Sequence, residues 1–178
     1  MYLAQQLKIP KKEKQVTLWI HPEGRVIGSL FLSLQNKYYS GEEEPIEALN
    51  KDEPFLVLKR EDAEDLRFYN KASIVCVEYY EESKPSSEGM ESLHCRLNLM
   101  DGSMIEGTVR KTLPPDHSRL YDYLNMDGER FAEISTEGGI VCLVNKSYIV
   151  CVVASSERHR GDVDWQQGEL ATNGKPVV

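Results

Sequence analysis

The segment Asn70-Lys71-Ala72-Ser73-Ile74-Val75-Cys76-Val77 returns 75 residues later as Asn145-Lys146-Ser147-Tyr148-Ile149-Val150-Cys151-Val152, with six of eight residues unchanged. Other matches keep nearly the same spacing. Leu49-Asn50 lies 75 residues before Leu124-Asn125, and Phe55 lies 76 before Phe131. Leu18-x-Ile20 with Gly28-x-Leu30 lies 79 before Leu97-x-Leu99 with Gly107-x-Val109. Self-similarity at a fixed period means that one structural unit is used twice. The small drift of the offset places length changes in the middle loop of the unit.

Each copy reads as β-structure. Leu97 and Leu99, then Ile105, Gly107 and Val109, alternate with polar residues, the period of a sheet with one buried face. Asp101-Gly102 between the two runs is a hairpin turn signal. In the first copy Val16, Leu18 and Ile20 alternate likewise, and His21-Pro22-Glu23-Gly24 makes the turn before Val26. A polar stretch follows in each copy, then a third strand (Phe55 to Leu58; Phe131 to Ile134) and a last pair (Leu66 to Val77; Ile140 to Val153). The expectation is an all-β protein with about five short strands per copy.

The resulting organisation is a basic N-terminal arm (1–15), copy one (16–80), a linker (81–92), copy two (93–154) and a disordered tail (155–178). The linker has Ser, Pro, Gly and Glu without apolar periodicity, and the tail lacks the apolar content to pack. Leu3 and Leu7, at i and i+4, suit a turn or two of helix in the arm.

Net charge is -8, and only the arm is positive, at +3 from Lys8, Lys11, Lys12 and Lys14 against Glu13. Neither copy offers the basic face by which nucleic-acid binders displace counterions from phosphates. No apolar run is long enough to span a bilayer, and the N-terminus lacks the pattern of an export signal, so a cytoplasmic location is expected and no membrane partner. Cys76, Cys95, Cys142 and Cys151 lie singly in apolar runs and read as buried, reduced thiols rather than zinc ligands, which arrive in close pairs.

The two copies resemble the Sm-like fold, the family of eukaryotic Sm and LSm proteins and the bacterial Hfq type. The first Sm signature is matched by Leu97-x-Leu99-x-Asp101-Gly102-x-x-Ile105-x-Gly107-x-Val109, the second by Leu143-Val144-Asn145-Lys146-Ser147-Tyr148-Ile149-x-x-Val152. Copy one repeats both more loosely, and together the copies cover residues 16–153. The resemblance implies two tandem five-stranded Sm-like small barrels in a bacterial cytoplasmic protein. It also implies pairing of edges between units: three chains would make a six-unit ring as a homo-oligomer, or the two copies pair only with each other.

In Sm proteins an Arg-Gly turn joins an Asp and an Asn in a nucleobase pocket. Here both turns are Asn-Lys, a position at which the Hfq type also carries Lys. Asp122-x-x-Asn125 resembles the Sm Asp-Asn pair with one residue fewer between, and copy one has Glu47-Ala48-Leu49-Asn50 at that point. The candidate RNA- or partner-binding residues are therefore Asn50, Asn70, Lys71, Asp122, Asn125, Asn145 and Lys146.

Bland readings stand beside these. Asn suits a tight turn, through positive φ or a bond to its own backbone, and a turn lysine is ordinarily solvated. Leu49 and Leu124 read as core, and Asn50 and Asn125 as caps before strand three. Tyr38-Tyr39 and Tyr79-Tyr80 read as edge or interface residues more than as base-stacking platforms. Asp116-His117-Ser118 invites a hydrolytic reading, but neighbours on one chain seldom converge on one atom, so no catalytic residue, metal or cofactor is expected. The expectation is a non-enzymatic binding or assembly module acting through strand edges and loop contacts, with RNA binding at the Asn-Lys and Asp/Asn loops as the alternative.

Overall fold

The computed structural model describes residues 11–35, 41–63, 65–81, 92–109 and 120–154. The Asp116-His117-Ser118 cluster, Tyr38-Tyr39, residues 1–10 of the arm, most of the linker and the tail lie outside these. In copy one, β1 (Lys11–Ile20) and β2 (Gly24–Ser33) form the expected hairpin, with Val16 opposite Gly28 and Leu18 opposite Val26. Gly24, at φ 91°, closes the turn. β1 starts five residues before the alternation that Val16 opens, so Lys11–Gln15 of the basic arm are strand. They pair with Ser29–Ser33, where Leu30 and Leu32 are buried and fix the register.

β3 (Phe55–Arg60), β4 (Leu66–Asn70) and β5 (Ile74–Tyr80) complete the copy. Copy two repeats it as β6 (Leu93–Leu99), β7 (Met104–Val109), β8 (Phe131–Ser135), β9 (Ile140–Asn145) and β10 (Ile149–Ala154). In its hairpin turn Asp101 Oδ1 accepts from the Ser103 N–H at 2.9 Å and Gly102 takes φ 83°.

Two short helices occupy the polar stretches, where strand alternation does not announce them. α1 (Pro45–Asn50) opens on proline, and Glu47 reaches back to the Glu44 N–H at 2.8 Å. α2 is Leu120–Leu124. Among the described residues no helix is long and apolar enough to cross a membrane.

Gly28 and Gly107 recur because their partner strands β3 and β8 approach them closely. A Cβ at Gly28 would collide with the Lys59 carbonyl and the Leu58 side chain, and one at Gly107 with the equivalent Ser135 carbonyl and Ile134 side chain.

All ten strands pair antiparallel in one open sheet, in the order β10-β6-β7-β8-β9-β5-β1-β2-β3-β4. The all-β expectation holds, but the two copies share a sheet. Each has the same internal order, and β5 of copy one joins β9 of copy two, from Cys76 opposite Val144 to Tyr80 opposite Ile140. Because successive side chains of a strand face opposite ways, this seam feeds two cores. Phe131, Val141 and Leu143 of copy two complete the core around Leu18, Leu49 and Leu58. Val75 and Cys76 of copy one complete the core around Cys95, Leu97 and Ile134.

Burial pushes the thiols of Cys76, Cys95 and Cys142 up, that of Cys142 to about 12, so they stay protonated as core residues. Cys151 departs from the expectation: it is exposed on β10.

Candidate functional site

The ends of β4 and β9 run into equivalent 3-10 turns, Lys71–Ser73 and Lys146–Tyr148. The repeated asparagine caps each: Asn70 Oδ1 accepts from Ala72 N at 2.9 Å and Asn145 Oδ1 from Ser147 N at 3.1 Å. Both asparagines keep extended backbone, near φ -66° and -68°, so the turn uses their side-chain oxygen and not a positive φ.

Three of the sequence candidates meet at the seam between the copies. Asn50, at the end of α1, donates from Nδ2 to the Phe131 carbonyl (3.2 Å) and accepts from the Phe131 N–H (2.8 Å). Asn145, fully buried, donates from Nδ2 to the carbonyls of Lys71 (3.2 Å) and Ile74 (2.9 Å). Each amide thus ties a backbone of one copy to the other.

Lys71 is buried, and its Nζ donates to the carbonyls of Ala48 (3.0 Å) and Lys51 (2.9 Å), capping the end of α1. Burial holds its pKa below the usual lysine value. Lys51 in turn pairs with Glu43, whose other oxygen accepts from the Ser33 N–H at 2.8 Å. Burial of Glu43 opposes its charge, but Lys51 and the Ser33 N–H outweigh it and hold the carboxyl below the usual range.

The other four candidates stay apart from the seam. Asn70 and Asn125 are exposed, and Asp122 is half-buried in α2. Asn125 Nδ2 folds back onto the Tyr121 carbonyl at 2.8 Å. Lys146 is half-buried and donates to the Met126 carbonyl at 3.3 Å, repeating one of the two bonds of Lys71. Leu49 is core, as expected, and Leu124 packs against the second core from a half-buried position. Tyr79 is buried in the first core and Tyr80 exposed, on a strand paired along both sides.

The outer edges of the sheet are the seam's own strands, without a further strand partner among the described residues. β4 is the repeat of β9, and β10 is the repeat of β5. Phe131 is 0% exposed and its equivalent Phe55 53%; Leu143 is 0% and Phe68 68%; Val75 is 6% and Val150 63%. Leu66 and Val153 add to these exposed apolar side chains. Sequence reasoning pointed to edges but did not single out these residues. The signal lay in the repeat itself, since an apolar residue buried in one copy recurs exposed in the other, at or beside an outer strand that no described residue pairs on its far side.

Among the described residues no three His, Cys, Asp or Glu side chains are grouped as a metal would require. A scan against protein-family models, a search of curated proteins and a search of solved structures found no match to this chain.

Proposed function

We propose that the chain is a non-enzymatic assembly module built from two Sm-like five-stranded units, and that its copies join head to tail, β10 of one against β4 of the next. The observation that carries this reading is the β5–β9 seam, in which the same two strand types already pair inside one chain. Carried over by the 75-residue repeat, the register sets Cys151 opposite Tyr69, Val152 opposite Phe68, Val153 opposite Arg67 and Ala154 opposite Leu66 of the next copy.

Physical support comes from both edges. Among the described residues neither outer strand has a second strand partner, and each carries exposed apolar side chains, a combination that soluble proteins cover or use. A head-to-tail contact closes into a ring when its rotation closes, and roughly three chains would then give six units. The loops on the two faces would remain for a further partner. RNA contact at the Asn-Lys turns is the weaker reading. Lys71 spends its ammonium on two carbonyls, and neither copy has a basic face.

The test is a mixing experiment with two charged edge variants, Phe68→Asp on β4 and Val150→Asp on β10. Both side chains are exposed in the single chain, so folding is spared. Each variant alone is expected to stay a single chain, and a mixture to give a dimer containing one of each, by native mass spectrometry. Either variant self-associating as the wild type does, or a mixture that remains single chains while the wild type assembles, would contradict head-to-tail pairing.

A further inference from the structure

We infer that Asn125 and Asn70 are intermolecular clasps that fix the register of the β10–β4 contact between copies of this chain. The clasp presupposes the edge-to-edge assembly proposed above and adds the groups that specify it. Inside the chain two asparagine amides close the seam. Asn50, from the β5 side, binds both backbone groups of Phe131, and Asn145, from the β9 side, donates to the carbonyls of Lys71 and Ile74.

The repeat places Asn125 where Asn50 stands and Asn70 where Asn145 stands, each at the outer end of the sheet. Phe55 is opposite Asn70 as Phe131 is opposite Asn145, so its N–H and C=O turn the same way as those of Phe131. In the assembly, Asn125 releases the Tyr121 carbonyl of its own helix and takes the N–H and C=O of Phe55 in the next copy. Asn70 of that next copy keeps its cap on Ala72 through Oδ1 and donates from Nδ2 to the carbonyls of Lys146 and Ile149.

The need for such clasps follows from strand geometry. Edge pairing through backbone groups alone tolerates slippage, and a one-residue slip would turn Phe68 and Val150 away from the cores they fill. A side-chain amide that binds one residue's N–H and C=O has a single register in which it fits. Lys146 gains from the same contact: Asn145 of copy two binds the carbonyl of buried Lys71, and Asn70 of a neighbouring chain would bind that of half-buried Lys146.

Asn→Asp substitution separates clasp from cap, because Asp keeps the Oδ1 acceptor that Asn70 uses on Ala72 and removes the donor. Sedimentation of the full-length chain at high salt, where an added charge is screened, compares the wild type with Asn70→Asp and Asn125→Asp. Each variant is expected to associate about tenfold more weakly, ~1.4 kcal/mol, and the double variant more weakly than either. In the Val150→Asp background, which holds the chain single, the melting temperature is expected to be unchanged by Asn70→Asp and to fall only slightly with Asn125→Asp, which loses the exposed bond to the Tyr121 carbonyl. Association of both variants within about twofold of the wild type, or a fall in melting temperature that accounts for the loss, would overturn the clasp and leave edge pairing standing. A wild-type chain that never associates would remove both.

Discussion

Lys71 Nζ donates to the carbonyls of Ala48 and Lys51, and Lys146 Nζ donates to that of Met126, the residue equivalent to Lys51. The same residue of the repeat is buried in one copy and half-buried in the other. Removing the buried ammonium leaves two helix-end carbonyls without a donor inside the protein. Lys71→Ala is therefore expected to lower unfolding free energy by about 2–3 kcal/mol, and Lys146→Ala by less than about 1 kcal/mol, in urea titrations of the single chain. Equal costs would show that burial at the seam does not set the role of Lys71. The dipeptide was legible in the sequence as a turn, because it repeats between apolar strands. The capping by Lys71 was not, since its acceptors are the carbonyls of Ala48 and Lys51, 23 and 20 residues upstream, and no local pattern reports that.

At the scale of strands and helices, alternation located the hairpin strands and the repeat with its apolar runs located the others, while the two repeated glycines stand where β3 and β8 approach β2 and β7 closely. Gly28→Ala and Gly107→Ala each force a methyl group into a backbone carbonyl. Each is expected to cost about 1–3 kcal/mol, read as a shift in urea midpoint with little change in slope. A neutral result at either glycine would mean that the partner strand yields without loss.

The helices escaped periodicity because six residues in α1 and five in α2 give too few turns for a 3.6-residue pattern. Pro45 with Glu47 three residues after Glu44 was a readable local signal for α1. The start of β1 escaped because Lys11–Gln15 carry no apolar residue, and their strand state comes from β2 opposite.

On the scale of the whole molecule, duplication has built a seam and left copies of its two halves at the outer edges of the described sheet. The single ten-stranded sheet was not legible from either copy, because strand alternation gives the faces of a strand and not its neighbour. It emerges from pairing between β5 and β9, two strands that the repeat marks as different members of the same unit. The exposed edge residues Phe68 and Val150, and Phe55 on β3 beside the β4 edge, follow by comparison with Leu143, Val75 and Phe131.

The most direct measurement is the mass of the purified wild-type chain by light scattering across a range of concentrations, with the 260 to 280 nm absorbance ratio recorded on the same peak. Head-to-tail pairing of β10 with β4 predicts a fixed whole-number multiple of the 20.3 kDa chain, free of nucleic acid. A mass of one chain at every concentration would contradict it.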